Sequence, residues 1–316
     1  MSAIKPLEIY GLIGDDLLLV ENELSGYLAC ENRTLGPLNN HILSLSGKRL
    51  RPVLVLLVAK MFDYKEKARI HLATSIELVH TATLLHDDVI DEAQMRRFKE
   101  SVNLRWGNKT AILTGDAIFA RAISILANHT QGEVLSLVAK SVEEVATGEI
   151  EQMLRSYDLS LTEAEYLHIL SKKTGSLISA CTGGMAILAS SCDKETAALK
   201  QYGLKFGLGF QIIDDCLDLM GSKEEIGKET LNDKKQGRLT LPFIELKRRL
   251  PGFDSFDMNR GEVRKLAIEH GALNYALAKA KLYLDEAKGK LSIFPNTVYG
   301  QALREIADYV GARMGA

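Results

Sequence analysis

The chain has 316 residues, of which 46% are hydrophobic and 25% are charged, a composition typical of a soluble globular protein. Its formal net charge of -2 provides no global field for nucleic acid or an anionic membrane, so any polyanion must be bound by local groups of Lys and Arg. The four cysteines are widely spaced without a C-x-x-C pair, so the sequence indicates neither a zinc ribbon nor a disulfide framework, and it favours a reducing cytoplasm.

Most of the chain has the helical spacing of apolar residues, and only six prolines occur, so the sequence predicts an all-α fold. The predicted helices cover residues 7–30, 50–62, 66–92, 109–128, 132–154, 162–190, 195–221, 239–250, 260–270, 272–290 and 298–313. Two of them contain "RPVLVLLVAKMF" and "TGSLISACTGGMAILAS", which are apolar around their circumference, as in central helices of one large bundle. We expect a single domain over residues 1–316, with no signal peptide and no membrane span.

Two copies of the pattern D-D-x-x-D each follow an apolar stretch of predicted helix. They are formed by Asp87, Asp88 and Asp91 and by Asp214, Asp215 and Asp218. Positions i and i+4 lie on one helix face about 6 Å apart, so each copy places carboxylates side by side. Such oxygens favour Mg²⁺ or Mn²⁺, which share their ligand shell with phosphates. One copy alone is equally well explained as solvated helix surface, but two copies predict metal ions and a diphosphate between them.

Short groups of cations at predicted helix ends or polar breaks could bind such a diphosphate. They are Lys48, Arg49 and Arg51, then Arg96 and Arg97, then Lys172 and Lys173, and finally Lys228. Taken singly, each is better explained as a solvated charge at a helix end. Their combination favours phosphate binding by side chains, and no G-x-x-x-x-G-K-[ST] occurs, which excludes a P-loop.

Polar and small residues next to these patterns are further candidates. Gln211 lies on the same helix face as the first and last aspartates of the second pattern, one turn earlier. Gly207 and Gly209 indicate close approach of another helix, or equally a kink. Thr174 followed by Gly175 indicates a local opening of the helix that turns oxygen atoms inward, although a helix break without function explains this pair equally well.

Six motifs occur in a fixed order: "GKRLRP", "HTATLLHDDVIDEAQMRR", "WGNKTAILTGDAIF", "KKTGSLI", "FQIIDDCLD" and "GRLTLP". Together they resemble the motifs of the trans-type isoprenyl (polyprenyl) diphosphate synthase family, from about Gly47 to Pro242. The resemblance implies the isoprenoid synthase fold, a helical bundle around a deep cavity, and a homodimer. It also implies a cytoplasmic prenyltransferase that joins isopentenyl diphosphate to an allylic prenyl diphosphate with Mg²⁺, which Mn²⁺ can replace.

The resemblance assigns roles by position. The implied Mg²⁺ ligands are Asp87, Asp91 and Asp214, supported by Asp88, Asp215 and Asp218. The implied ligands of isopentenyl diphosphate are Lys48, Arg51, His80 and Arg97, and those of the allylic diphosphate are Arg96, Lys173 and Lys228. Near the allylic carbocation the family has oxygen atoms that correspond to Thr174 and Gln211. Spacing alone would make His80 a core histidine. The departing diphosphate itself takes up the proton, so no dedicated protein base is implied.

Product length is expected to depend on the residues before the first aspartate pattern. Each helical turn of about 5.4 Å passes roughly one five-carbon unit. In the family a Phe or Tyr five residues before the pattern stops elongation early, whereas this chain has Ala82, followed by Thr83. We therefore expect a long-chain product of the C30–C50 class. A short-chain farnesyl or geranylgeranyl diphosphate synthase is the alternative if a bulky side chain from another helix closes the cavity.

Several positions depart from the family pattern. Phe98 and Glu100 replace the usual Gly and Pro after the two arginines, Leu231 stands where Gly is usual, and Arg238 stands where Lys is usual. The C-terminal "GARMGA" lacks the basic cluster with which some members cover the site. Two rival functions share part of the pattern: a type I terpene cyclase, which uses no isopentenyl diphosphate, and a non-catalytic subunit of a heteromeric synthase, which typically loses aspartates.

Overall fold

The computed structural model describes residues 6–28, 35–45, 47–220, 237–253, 258 and 260–313. Over these ranges the chain is almost entirely helical, which confirms the all-α prediction. The α-helices are α1 Pro6–Leu28, α2 Gly36–Ser44, α3 Leu50–Met61, α4 Ala68–Ile90, α5 Val102–Trp106, α6 Asn108–His129, α7 Gly132–Leu154, α8 Glu163–Leu170, α9 Ser176–Leu188, α10 Asp193–Met220, α11 Leu241–Arg249, α12 Arg260–Glu269, α13 Ala272–Lys290 and α14 Val298–Ala312. Short elements complete them: antiparallel strands β1 Met95–Arg96 and β2 Lys99–Glu100, a π-helical turn at Ser171–Gly175 and a 3₁₀ turn at Leu291–Ile293.

Most predicted helices begin and end within two residues of the observed ones, because their apolar faces run over several turns. The segment predicted as one helix over 162–190 is instead divided into α8, the π-helical turn and α9. The sequence pattern did not predict α2, α5 or the two strands. These elements are too short to show a hydrophobic period.

The chain divides into two compact units. The first comprises Met1–Lys140, Ala180–Thr196 and Pro295–Leu303. Its central helix is α4, which packs against α1, α3 and α6 and is buried continuously from Ile70 to Val79. In α3 every residue from Pro52 to Ala59 is buried, which confirms the expectation for a central helix.

The second unit comprises Ser141–Ser179, Ala197–Phe294 and Arg304–Ala316. Its longest helix contains the glycines predicted to mark close helix approach, and the structure confirms that interpretation. A Cβ atom on Gly207 would lie 2.8 Å from Cα of Gly175, and one on Gly209 would lie 2.7 Å from Cγ of Leu284 on α13. Whether the two units form the single domain that the sequence predicts stays a prediction.

Among the described helices, α6 alone is long and apolar enough to cross a membrane. Only a third of its most apolar 18-residue stretch is buried, and Ile112 and Leu113 are exposed. No such helix was predicted from the sequence. Length and composition are weak evidence for a span, because helices of soluble proteins pass the same test.

Candidate active site

The first aspartate motif forms the C-terminal end of α4 in the first unit. Asp87 and Asp91 are half-buried, whereas Asp88 is 1% exposed. Arg96 on β1 donates from Nε to both carboxylate oxygens of Asp88 at 2.8 Å, and its Nη2 lies 2.6 Å from Oδ1. Asp88 therefore anchors Arg96 to the end of α4.

Arg96 belongs to a hairpin whose turn has an unusual conformation for its residues. Strands β1 and β2 pair Met95 with Glu100 and Arg96 with Lys99, so Arg97 and Phe98 form the turn between them. Their φ angles are 51° and 64°, in the left-handed region that favours glycine. Phe98 thus adopts the backbone conformation for which the family usually has Gly, and its ring is exposed.

The hairpin is attached to the C-terminal end of α2. Arg97 donates from Nη1 to the carbonyl of Leu45 at 2.6 Å, and Lys99 donates from Nζ to the carbonyl of Ser44 at 3.0 Å. Cations at this end of a helix interact favourably with the helix dipole. The guanidinium of Arg97 also lies over Gly47, where an added Cβ atom would be 2.2 Å from Nη2. Only glycine leaves this space for Arg97.

A small cleft, with a cavity volume of about 30 Å³, lies in the first unit next to this hairpin. Of the residues that the family resemblance assigns to isopentenyl diphosphate, His80 and Arg97 line the cleft, and Arg96 lines it as well. Lys48 is exposed, and Arg51 is half-buried at the start of α3. The cleft therefore combines several cations with apolar walls from α1 and α2.

The pKa of His80 is well below the ordinary value of 6.5. Burial is the largest cause, because it disfavours the charged imidazolium, and the positive charge of Arg51 is the next. Arg96, Arg97 and Arg49 act in the same direction. His80 is therefore neutral at physiological pH and can accept or donate a hydrogen bond in the cleft.

Arg49 lies between Lys48 and Arg51 and is buried rather than available to a ligand. Its backbone has a φ of 52°, in the left-handed region. Its guanidinium donates to Glu21 at 2.5 and 3.0 Å and to Glu77 at 2.8 Å. This ion-pair network fixes the turn that begins α3. Sequence reasoning missed both glutamates, because each lies 28 residues from Arg49.

The residues expected to control product length lie on α4. Ala82 is 2% exposed, and Thr83 is half-buried with its hydroxyl donating to the carbonyl of His80 at 2.8 Å. Ala82 therefore packs within the core of the first unit, where a larger side chain would need space from its neighbours. The role of both residues in product length stays a prediction.

In the second unit, the π-helical turn confirms that the helix opens at Thr174 and Gly175. Such turns occur frequently at functional sites. Lys173 in this turn contacts Glu149 and donates from Nζ to Oε1 of Gln152 at 2.8 Å. Arg238 donates to the same Glu149 at 2.9 Å. Arg238, which stands where the family usually has Lys, therefore shares the buried carboxylate of Glu149 with Lys173.

Glu149 and Gln152, which contact the candidate residue Lys173, were not predicted from the sequence. They lie in the stretch "GEIEQ" of α7, three residues apart and hence on the same helix face. A Cβ atom on Gly148 would lie 2.8 Å from the backbone nitrogen of Lys173, so this glycine also permits close approach of the π-helical turn. Gly148, followed directly by Glu149 and by Gln152 three residues later, is the pattern from which these two contacts could have been predicted.

Thr174 and Gln211, predicted to lie near the carbocation, are in direct contact. Thr174 donates from Oγ1 to Oε1 of Gln211 at 2.9 Å, and Gln211 donates from Nε2 to Oδ1 of Asp215 at 2.9 Å. Tyr166 of α8 donates from its hydroxyl to Oδ2 of Asp215 at 2.6 Å. Sequence reasoning missed Tyr166, which lies 49 residues before Asp215.

The second aspartate motif repeats the division seen in the first. Asp215 is buried, whereas Asp214 and Asp218 are half-buried on α10. Arg313, directly after α14, lies 2.6 Å from Oδ1 of Asp214, so a basic residue near the C-terminus reaches this motif despite the missing cluster. Lys228 and Leu231 lie outside the described residues.

Residues 32–252 of the chain match the family described as Polyprenyl synthetase. This chain belongs to the polyprenyl synthetase family. Similar proteins include the octaprenyl diphosphate synthase of Haemophilus influenzae, 31% identical over 95% of this chain and 94% of that protein. Component 2 of the heptaprenyl diphosphate synthase of Geobacillus stearothermophilus is 34% identical over 96% of this chain and 98% of that protein.

Among solved structures, this family member is similar to the polyprenyl synthase of Caulobacter crescentus in complex with calcium and isoprenyl diphosphate. The TM-score is 0.93, with 32% identity over 99% of each chain. These findings confirm the predicted isoprenoid synthase fold and identify the protein as a prenyltransferase.

The aspartates suit the divalent metal ions on which this family depends. Within the described residues, no three His, Cys, Asp or Glu side chains lie close enough together to bind a metal ion by themselves. Mg²⁺ needs no such group, because it is usually bound by one or two carboxylates together with waters and substrate phosphates. Half-buried aspartates in each motif offer that kind of partial site.

Proposed function

We propose that this protein condenses isopentenyl diphosphate head-to-tail with an allylic prenyl diphosphate to give an all-trans polyprenyl diphosphate of the C30–C50 class. The observation that carries this proposal is the shared arrangement of the two aspartate motifs. In each motif, the middle carboxylate is buried and accepts hydrogen bonds, whereas the outer two are half-buried. The similar octaprenyl and heptaprenyl synthases support a long-chain product.

The aspartates would bind Mg²⁺, for which Mn²⁺ can substitute. We propose Asp87, Asp91 and Asp214 as the principal ligands, with Asp218 in support. Asp88 and Asp215, which the family resemblance also assigned to support, are held by Arg96 and by Gln211 with Tyr166. Metal ions held by these residues would supply positive charge that offsets the charge of the departing allylic diphosphate.

The protein's own cations, together with neutral His80 as a hydrogen-bond donor, divide between two diphosphates in this proposal. Lys48, Arg51, His80 and Arg97 bind isopentenyl diphosphate, as the shared cleft of His80 and Arg97 supports. Arg96, Lys173 and Lys228 bind the allylic diphosphate. Both sets stabilise negative charge, but only the second stabilises charge that develops in the transition state.

The reaction then needs no protein base. The allylic C–O bond breaks, and the electron pair leaves with the diphosphate. Oxygen atoms of Thr174 and Gln211 stabilise the allylic cation. The double bond of isopentenyl diphosphate attacks that cation to form the new C–C bond, and the departed diphosphate takes up the proton that is lost.

We propose a cytoplasmic homodimer as the active form. The exposed apolar side chains of α6, Ile112 and Leu113, favour a protein partner over solvent. A second kind of assembly is suggested by the similar heptaprenyl synthase component, whose name implies another component. Light scattering on the purified chain, together with activity of the chain alone, separates these two assemblies.

The experiment that tests the reaction uses purified protein, Mg²⁺ and defined substrates. Diphosphate release should require both farnesyl diphosphate and isopentenyl diphosphate, and Asp87→Ala and Asp214→Ala should each lower the rate at least about 100-fold. Asp285→Ala, on the exposed face of α13, is the control. A hydrocarbon formed from farnesyl diphosphate alone would instead identify a terpene cyclase, and no turnover would identify a non-catalytic subunit.

A further inference from the structure

Four side chains of the second unit form one continuous chain of hydrogen bonds. Its bonds run from Thr174 to Gln211 at 2.9 Å, from Gln211 to Asp215 at 2.9 Å, and from Tyr166 to Asp215 at 2.6 Å. Tyr166, Thr174 and Asp215 are buried, at 2%, 6% and 7% exposure. A buried network of this kind is costly unless every member is satisfied in the correct sense.

The direction of these bonds follows from the chemistry of each group. A carboxylate can only accept, so Asp215 requires a donor at each bonded oxygen, and the NH₂ of Gln211 and the hydroxyl of Tyr166 provide them. With its NH₂ turned to Asp215, Gln211 presents its carbonyl oxygen to Thr174. If the amide of Gln211 were reversed, its oxygen atom would face a carboxylate oxygen of Asp215, and neither atom carries a hydrogen to donate. Thr174 must therefore donate its only hydroxyl hydrogen to Gln211.

This direction determines what Thr174 can offer to a substrate. A threonine hydroxyl has one hydrogen and two lone pairs. Because the hydrogen is engaged with Gln211, the oxygen has only lone pairs for any further neighbour. Lone pairs stabilise a positive charge, whereas a hydrogen pointing at a cation would destabilise it.

We propose that Asp215 and Tyr166 are positioning residues that set the direction of this chain, so that Thr174 faces the allylic cation with lone pairs. This inference rests on the proposed function. It assigns Asp215 a role other than metal binding, although Asp215 belongs to an aspartate-rich motif. It also gives Tyr166, a buried residue of α8, a function in the chemical step through Asp215 and Gln211.

The first test removes the hydroxyl donor with Tyr166→Phe. The single-turnover rate should fall about tenfold, with KM for both diphosphates and the Mg²⁺ requirement changed less than twofold. A fluorinated allylic diphosphate, which forms a less stable cation, should slow the variant more than it slows the wild type. Tyr275→Phe is the matched control, since its hydroxyl donates to Glu163 at the same 2.6 Å and it should leave the rate unchanged.

The second test reverses the direction of the hydrogen bonds by replacing Asp215 with a side chain of the same shape. Asp215→Asn can donate to Gln211, which then turns its NH₂ toward Thr174, so the rate should fall at least as far as in Tyr166→Phe. In a Thr174→Val background, Tyr166→Phe should have no further effect, because both act through one oxygen. This cycle applies even if Asp215→Asn folds poorly.

Three results would overturn the inference in an active wild-type enzyme: an unchanged rate in Tyr166→Phe, a loss expressed in KM or in the Mg²⁺ requirement, or multiplicative effects of Tyr166→Phe and Thr174→Val. If the wild type itself forms no elongated product, the proposed function fails instead. The two failures are therefore distinguishable in one set of assays.

Discussion

Burial separates the aspartates of each motif into two kinds. Asp88 and Asp215 are buried and accept hydrogen bonds from Arg96 and from Gln211 with Tyr166. The remaining aspartates of both motifs are half-buried. An unpaired buried carboxylate would be costly, so the neighbours of the two middle aspartates are as much a part of each motif as the aspartates themselves.

We expect Gly47 to affect binding of isopentenyl diphosphate through Arg97, whose side chain lies over it. Gly47→Ala would place a methyl group where the guanidinium of Arg97 lies, 2.2 Å from Nη2. Because a guanidinium on a flexible side chain can move, the free energy of unfolding should change by only about 0.5 kcal/mol, whereas KM for isopentenyl diphosphate should rise about tenfold. Gly26→Ala, with nothing within 4 Å, is the control. An unchanged KM would place Arg97 outside that binding site.

The lowered pKa of His80 predicts a specific dependence of stability on pH. The unfolded chain binds a proton near the ordinary pKa of 6.5, whereas the folded protein resists protonation down to its lower pKa. The contribution of neutral His80 is therefore fully present above 6.5 and is lost as the pH falls toward the folded pKa. Between pH 7 and pH 5, urea unfolding should show a smaller loss of stability for His80→Gln than for the wild type. The exposed His168→Gln is the control, and equal slopes for His80→Gln and wild type would contradict this account.

Ala82 is the residue at which product length is most directly open to change. Ala82→Phe should shorten the main product by several five-carbon units, because the ring would block the path along α4. Ala82→Ser is the control of similar size and should keep the product length. Chromatography of the dephosphorylated products measures the change, and thermal unfolding shows whether the buried site accommodates the ring. An unchanged length in a folded variant would mean that the growing chain runs elsewhere.

At the scale of elements, periodicity predicted the long helices, and the pair Thr174 and Gly175 indicated one local opening within them. The break at Thr174 and Gly175 is a π-helical turn, and Gly207 of α10 is where that turn approaches. The hairpin could not be predicted, because its turn residues Arg97 and Phe98 are not turn formers. Its conformation depends on contacts with the C-terminal end of α2, which the sequence pattern does not show.

Gly207→Ala tests the contact between α10 and the π-helical turn. The added Cβ atom would lie 2.8 Å from Cα of Gly175, and backbone cannot move as a side chain can. We expect a loss of about 1–3 kcal/mol in the free energy of unfolding. Gly14→Ala on the open face of α1 should instead stabilise the protein by about 0.5–1 kcal/mol. Stabilisation by both substitutions, measured by urea unfolding, would show that the helices can separate at no cost.

At the scale of the whole molecule, charge is organised locally. The net charge of -2 gives no global attraction for diphosphates, yet His80 lies among four arginines. The order of motifs predicted the family, the fold and most candidate residues. The partners that hold them in place, such as Glu149 and Tyr166, were not predicted, since they lie far along the chain from the residues they contact.

The most direct measurement is the length of the product made by the wild-type protein. Purified protein is incubated with Mg²⁺, farnesyl diphosphate and labelled isopentenyl diphosphate, and the dephosphorylated products are separated by chain length. A long-chain synthase with Ala82 before its first aspartate motif should give products in the C30–C50 range. Products that end at C20, or no elongation beyond the C15 primer, would contradict it.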